Sequence, residues 1–168
     1  ALMQGLADGY FVLPYTIGEY LSKDISTGPI PNDTDEFLNA EKESEEKLDF
    51  FINNQGTKSV DYFHKKLGKI LRNKCGMARN KKDLELAIKE ISNLRNEFYK
   101  DLKVPGGKNE FNEELAKAGR VADFLELGEL YAKDALKREE SCGGHFREEY
   151  QTKEGEATRK KEFQFVSA

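Results

Sequence analysis

The strongest constraint on this fold is a set of apolar side chains spaced three or four residues apart between residues 84 and 102. The set comprises Leu84, Ala87, Ile88, Ile91, Leu94, Phe98 and Leu102. Because an α-helix turns once every 3.6 residues, this spacing places these side chains on one helical face. Asn80 can cap the start of such a helix, and the run Val104-Pro105-Gly106-Gly107 ends it. The segment is therefore predicted to be an amphipathic helix that packs against other helices.

Two segments before it have the same spacing and are also predicted to be helices. One begins at a cap among residues 33–35 and ends near Asn53, and the other runs from about Ser59 to Lys74. Their apolar faces are, in turn, Phe37, Ala40, Ser44, Leu48 and Phe51, and then Val60, Phe63, Leu67, Ile70 and Leu71. The short connections between these helices favour an antiparallel bundle.

The last predicted helix, from about Phe111 to Lys137, has two apolar sides. One side comprises Phe111, Leu115, Ala118, Ala122, Leu125, Ala132 and Leu136, and the second comprises Val121, Phe124, Leu127 and Leu130. We therefore expect this helix to be the most buried, with neighbours packed on both sides. The predicted fold class is all-α: an antiparallel three- to four-helix, spectrin-repeat-like bundle with an extra N-terminal helix and an irregular C-terminal tail.

Residues 1–22 are predicted to form the extra helix, which is apolar on most sides and bends at Pro14. Polar residues such as Gln4 and Asp8 interrupt the apolar run, which excludes a signal peptide. A helix of this kind is typical of the interior of a larger protein, so we expect the sequence to begin within a longer chain. We expect residues 1–22 to fold back on the bundle, to be disordered or to mediate self-association.

Charge and cysteine content exclude several classes of function. A net charge of −4 and a pI near 5.4 are unlike those of a nucleic-acid binder or a polybasic membrane anchor. Two Cys and two His are too few for a disulfide framework, or for a zinc site without carboxylate ligands. We expect a folded protein of a reducing, cytoplasmic compartment, with no nucleic-acid partner.

Residues 139–168 lose the helical periodicity and are predicted to form an open polar loop and then an irregular tail. Cys142 and His145 have the spacing of a partial metal pair or of an activated thiol, but neither hypothesis has enough further partners. The neighbouring acidic residues fit a divalent-ion cluster or, because arginines interleave with them, ion pairs. These acidic residues are Glu139, Glu140, Glu148 and Glu149. Near the end of the chain, Phe163, Phe165 and Val166 alternate as a short strand would.

Two further observations limit the chemistry of the chain. His64, beside the apolar face of its predicted helix, is interpreted as a boundary residue and not as a catalytic one. No glycine-rich phosphate loop follows a predicted strand, so a dinucleotide has no cradle here. The residues alone therefore predict a helical module without catalytic residues or a metal site.

The segment from Arg138 to Tyr150 resembles a motif of succinate dehydrogenase and fumarate reductase flavoprotein subunits, R-x-E-S-R-G-x-H-x-R-x-D-Y. The motif residues that this sequence keeps include Glu140, Ser141, Gly143, His145 and Arg147. The departures are Cys142 in place of the family arginine, Glu149 in place of aspartate, and Gln151 in place of the proline that follows. The run Cys75-Gly76-Met77-Ala78-Arg79 resembles the family's G-x-x-R step between two bundle helices.

The opening of the chain resembles the helix that follows the flavin- and substrate-contacting segment of that family. The resemblance implies four regions: residues 1–22, the last helix of an FAD-binding domain; 23–35, a linker; 36–138, the C-terminal helical bundle; and 139–168, the motif loop and tail. Ala1 and Leu2 would then lie at the edge of the FAD-contacting segment. The family's catalytic residues would all precede Ala1.

For a complete parent protein, the resemblance implies hydride transfer between succinate and a covalently held FAD. Electrons would pass to an iron–sulfur subunit and then to quinone. This chain alone would bind no flavin and catalyse nothing, and would support the FAD-binding and capping domains and the docking of the iron–sulfur subunit. The parent would be peripheral on the cytoplasmic face of the inner membrane. The alternative is a free-standing helical protein-interaction module without a redox role.

Overall fold

Helices dominate the computed structural model, which describes residues 2–24 and 28–160. In chain order the elements are α1 (Leu2–Ala7), a π-helix (Asp8–Val12), α2 (Leu13–Tyr20), α3 (Asp35–Asn53), α4 (Val60–Lys74), β1 (Ala78–Arg79), α5 (Lys81–Asp101), α6 (Glu113–Lys137) and β2 (Phe146–Arg147). The all-α prediction is confirmed. Within the described ranges, no helix is long and apolar enough to cross a membrane.

Side-chain caps mark the starts of α4, α5 and α6. The Ser59 hydroxyl accepts a hydrogen bond from the backbone amide of Tyr62, three residues further on. Asn80 and Asn112 cap α5 and α6 in the same way, with amide-to-oxygen distances of 2.8 and 3.0 Å. Each cap satisfies a backbone donor that has no partner inside its helix, so these helix starts follow from local sequence.

The core of the bundle lies between α4, α5 and α6. The buried face of α5 is the one predicted, with Leu84, Ala87, Ile91, Leu94 and Phe98 inside. The Phe98 ring meets the rings of Phe63 and Phe51 edge-on, at centroid distances of 5.2 and 5.9 Å. These aromatic contacts connect α5 to α4 and to the end of α3.

Two predictions about packing are wrong. Helix α6 begins at Glu113 and buries most of its first apolar side, but Phe111, predicted to start that side, precedes the helix and is 96% exposed. On the second side only Val121 is buried, and Leu127 is 59% exposed. Helix α3 buries only Phe51, while Phe37 at its other end is 50% exposed. The α6 prediction fails because the helices packed against it, α4 and α5, cover only one of its sides.

The connection between α3 and α4 is held against the end of α5. The backbone amides of Thr57 and Lys58 both donate to the Asp101 carbonyl, at 3.1 and 2.9 Å. The Lys58 ammonium lies 2.6 Å from Glu97 Oε1 and 3.0 Å from Asp101 Oδ2. A Cβ atom at Gly56 would lie 2.1 Å from the Asp101 carbonyl carbon, so only glycine permits this close approach.

The chain divides into two compact units, residues 1–43 and 44–168. In the first unit, a π-helix precedes α2, and Pro14 occupies the first turn of α2, where a missing amide donor is tolerated. Its large apolar side chains are exposed: Leu2 is 93% accessible, and Phe11 and Tyr15 are also largely in solvent. Ala1 and the predicted strand at residues 163–166 lie outside the described residues.

Two short parallel strands join distant parts of the second unit. In β1 and β2, Ala78 pairs with Phe146 and Arg79 pairs with Arg147. Strand β1 lies between α4 and α5, whereas β2 lies in the segment that follows α6. This pairing brings the G-x-x-R step and the second half of the family motif side by side.

Candidate functional site

Residues 138–150, here called the motif segment, fold back against the carboxyl end of α6 and the start of α5. The prediction of an open, poorly packed loop is wrong. Glu140, Ser141, His145 and Arg147 are all buried, although Gly143 and Gly144 at the tip of the segment are exposed. The segment is polar but nearly every one of its buried polar groups has an internal partner, which is why it packs.

Arg147 stabilises the carboxyl end of α6. Its side chain is only 2% exposed, and its Nη1 atom donates to the carbonyl oxygens of Ala135 and Leu136 at 3.0 and 3.1 Å. These carbonyls belong to the last turn of α6, where the helix itself supplies no amide donors. A guanidinium at this end also complements the negative end of the helix dipole.

Glu149 connects Arg147 to the amino end of α5. Its Oε2 atom accepts from Arg147 Nε at 3.0 Å, and its Oε1 atom accepts from the Lys81 backbone amide at 2.5 Å. Burial acts to raise the pKa of this carboxyl, but the amide and guanidinium hydrogen bonds hold it below its usual range. Glutamate in place of the family aspartate thus still reaches a cation and a helix start at once.

Ser141 and Glu140 fix the turn of the motif segment. The Ser141 hydroxyl accepts from the Arg147 amide at 2.8 Å and donates to the Arg147 carbonyl at 3.1 Å. Glu140 accepts from Arg138 Nε at 2.9 Å and from the Lys160 amide at 3.2 Å. Burial acts to raise the Glu140 pKa, and these donors outweigh it and lower the pKa.

Both ring nitrogens of His145 are engaged. Nε2 lies 2.9 Å from the Arg138 carbonyl and Nδ1 lies 3.0 Å from Arg79 Nη1. Since a carbonyl only accepts and a guanidinium only donates, the hydrogen-bond network assigns a neutral ring with its proton on Nε2. Burial and the nearby arginine charges lower the pKa of His145 below its usual value.

This geometry decides between the hypotheses for Cys142 and the acidic residues. Cys142 and His145 pair through their backbones, at 2.8 and 3.0 Å, and no ring nitrogen of His145 is free to activate the thiol. Glu139 pairs with Lys160, and Glu140 and Glu149 pair with arginines. In the described residues, no group of three His, Cys, Asp or Glu side chains could hold a metal ion. The ion-pair interpretation therefore fits Glu139, Glu140 and Glu149, whereas Glu148 accepts a hydrogen bond from the Asn80 side-chain amide at 3.2 Å.

A cleft of about 430 Å³ opens beside the motif segment. It is lined by Arg79, Tyr131, Asp134, Ala135, Arg138, Cys142, Gly144 and His145. The Arg79 guanidinium lies 4.9 Å from the centre of the Tyr131 ring and also donates to the Tyr131 hydroxyl. Cys142, which replaces the family arginine, is half-buried at the wall of this cleft.

Sequence reasoning did not identify Tyr131 or the role of Arg79. Arg79 appeared only as the end of the G-x-x-R step, and Tyr131 lies on the exposed side of a long helix. Their contact spans 52 positions of sequence, and the Arg79–His145 contact spans 66.

His64, interpreted as a boundary residue, is exposed and stacks on Phe124 at 5.9 Å.

The described residues thus form a helical domain with a three-helix core, whose last helix is capped by a buried arginine from the segment that follows it. The chain belongs to the family described as "Fumarate reductase flavoprotein C-term", whose profile matches residues 64–167. The resemblance of the motif segment and the family assignment therefore agree.

Individual relatives support this assignment. A Helicobacter pylori fumarate reductase flavoprotein subunit is 30% identical over 143 residues, which are 83% of this chain and 20% of that protein. A Haemophilus influenzae fumarate reductase flavoprotein subunit is 25% identical over 104 residues, 62% of this chain and 17% of that protein. The chain thus spans about a fifth of the length of these relatives.

Solved structures have the same fold. An Escherichia coli quinol fumarate reductase chain superposes with a TM-score of 0.68 at 21% identity, covering 86% of this chain and 24% of that one. The Mycobacterium smegmatis Sdh1 complex gives a TM-score of 0.64 at 25% identity, covering 79% of this chain and 22% of that one.

Proposed function

We propose that this chain is the structural C-terminal region of a subunit that interconverts succinate and fumarate with FAD. Its role is to support the FAD-binding and capping domains and to help dock an iron–sulfur subunit, through which electrons pass to quinone. The parent is peripheral on the cytoplasmic face of the inner membrane through its partner subunits. Residues 1–22 contribute the last helix of the FAD-binding domain, 23–35 a linker, 36–138 the bundle and 139–168 the motif loop and tail.

The observation that carries this proposal is that the polar side chains of the motif segment already form hydrogen bonds within the chain. Each polar motif side chain is used internally: Arg147 caps α6, Glu149 caps α5, and Ser141 holds the turn. Because their hydrogen-bonding capacity is already used within the chain, these side chains are not free to bind a reacting substrate. We infer that they act by shaping a surface. That surface is the cleft beside the motif segment.

The described residues do not fit an FAD site. The one strand-to-helix connection, β1 to α5, has no glycine-rich loop, and the Glu149 carboxylate occupies the amino end of α5 where a phosphate would bind. Leu2, assigned with Ala1 to the edge of the flavin segment, is exposed. We therefore infer that the isolated chain carries no flavin and no activity of its own.

Three experiments test this function. The coding sequence upstream of Ala1 is expected to encode a glycine-rich dinucleotide fingerprint and a His-Gly-Ala-Asn-Arg-type segment. The subunit expressed from the complete reading frame is expected to contain FAD and to reduce fumarate with an artificial electron donor. The 168-residue chain, incubated with FAD and desalted, should retain no flavin fluorescence. Stoichiometric flavin on the isolated chain, or a reading frame without a flavin domain, would refute the proposal.

The alternative function, a free-standing interaction module, draws on the exposed apolar side chains of residues 2–24. If these side chains drive self-association, deletion of residues 1–22 should convert a dimer or larger species into a monomer. Light scattering on the chain with and without these residues measures this. A mass that does not change on deletion would contradict self-association through this segment. A reading frame that begins close to Ala1 would favour the interaction module over the flavoprotein.

A further inference from the structure

Among the residues that the structure describes, Arg79 is a buried cation without a carboxylate partner. Its side chain is 8% exposed, and its guanidinium donates to the Gly76 carbonyl at 2.9 Å, to His145 Nδ1 at 3.0 Å and to the Tyr131 hydroxyl. All three acceptors are uncharged. Within residues 2–24 and 28–160, Arg79 takes part in no ion pair, whereas the other buried arginine, Arg147, has Glu149. An uncompensated buried charge is costly unless an anion joins it.

In the cleft that Arg79 lines, here called the arginine cleft, the Arg79 guanidinium is a cation that no described carboxylate contacts. The Arg138 charge in its wall is already balanced by Glu140 at 2.9 Å, and the His145 ring is neutral. Asp134 also lines the cleft but makes no ion pair with Arg79. Because the Asp134 carboxylate already offsets one positive charge in the wall, a dianion such as phosphate would be repelled, whereas a single carboxylate can pair directly with the Arg79 guanidinium.

An apolar groove adjoins the arginine cleft, and Tyr131 lines both. The groove has a volume of about 330 Å³ and lies between α4 and α6. Its walls include Leu67, Leu71, Phe124, Leu127 and Gly128. This is the second apolar side of α6, which the bundle leaves in solvent. The combined surface therefore offers an apolar trough that ends at a buried cation.

We propose that the arginine cleft receives the carboxylate of an aspartate or glutamate from the flavin domain that precedes this one in the same subunit. A neighbouring apolar side chain of that domain fills the apolar groove. The proposal rests on the proposed function, because it takes its occupant from the upstream domain. It assigns Arg79 a docking role in addition to its contact with His145.

A zero-length cross-link on the complete subunit tests the proposal. Arg79→Lys keeps a positive charge in the cleft and supplies an amine that carbodiimide joins to a carboxylate in contact with it. The matched control is Arg72→Lys, because Arg72 is an exposed arginine near the end of α4. Peptide mapping should show a cross-link from position 79 to an acidic residue upstream of Ala1, and none to that residue from position 72. A cross-link only to Asp134, only to another subunit, or to no residue would overturn the proposal.

Cys142 provides a second readout, because it lines the same cleft. Docking of the upstream domain should cover the thiol, so Cys142 should react with a thiol reagent at least about tenfold more slowly in the complete subunit than in the 168-residue chain. Arg79→Gln in the complete subunit should restore most of the rate, while Arg72→Gln should not. Equal Cys142 rates in chain and subunit would also overturn the proposal.

The flavin content of the purified subunit separates the two levels of inference. A product without flavin refutes the proposed function and this docking role with it. A flavin-containing, active subunit in which position 79 joins no upstream carboxylate leaves the proposed function standing and refutes the docking role alone.

Discussion

Replacing Arg147 with methionine should remove much of the stability of the bundle. The substitution keeps most of the buried volume but deletes three hydrogen bonds of 3.0 to 3.1 Å, one to Glu149 and two to the last turn of α6. Glu149 is 40% exposed and can be hydrated once the arginine is gone, so the cost comes mainly from the charge-assisted hydrogen bonds to the two α6 carbonyls, each typically worth about 1.5 to 3 kcal/mol. Whole domains are stable by only about 5 to 15 kcal/mol, so Arg147→Met should lower the unfolding midpoint strongly.

Urea unfolding of the 168-residue chain, followed by far-ultraviolet circular dichroism, measures this effect. The matched control is Arg120→Met, because Arg120 is an exposed arginine on α6, and its removal should change the free energy of unfolding by less than about 0.5 kcal/mol. Arg147→Lys should fall between the two, since an ammonium keeps the charge but not the forked geometry. If Arg147→Met and Arg120→Met unfolded at the same urea concentration, the capping role of Arg147 would be wrong.

Three further predictions concern single positions. Gly56→Ala should destabilise the bundle by more than about 1 kcal/mol, because its Cβ would overlap the Asp101 backbone. Gly119→Ala, in open space within α6, should stabilise the bundle by about 0.5 to 1 kcal/mol. If thermal melts gave the reverse order of stability, the close contact at Gly56 would be wrong. The folded-state pKa of His145 lies below the usual 6.5, so the unfolded chain takes up the proton first and the unfolding free energy should fall as pH drops from about 7 to 5. His145→Gln should flatten this dependence of the unfolding free energy on pH, and His64→Gln should not. If both variants gave the same slope, His145 would not be its source. Cys142, which is half-buried, should react with a thiol reagent before Cys75, which is buried at the end of α4 and whose pKa is raised by that burial. Peptide mapping that shows the opposite order would refute this prediction.

Helix positions were predictable because their signals are local. Asn80 and Asn112 each bond an amide three residues away, and α5 keeps one strict apolar face, so chain-neighbour geometry is sufficient. The motif segment was recognisable as a resemblance for the same reason: its residues lie close together in sequence. Four of its matched positions are buried, Glu140, Ser141, His145 and Arg147, whereas the matched Gly143 is exposed.

Tertiary structure alone decided how the polar residues and the surplus apolar residues were used. The motif segment looked open because polar runs with glycines are usually solvated, yet Arg147 is buried against the carbonyls that end α6, and the exposed Glu149 carboxylate accepts from an amide that begins α5. Conversely, Leu127 on α6 was expected to be buried, but apolar periodicity does not say how many neighbours a helix has. The arginine cleft depends on Arg79 meeting Tyr131 and His145, which are 52 and 66 residues away. Contacts between residues so far apart in sequence depend on how the helices pack, and the local sequence pattern does not reveal them.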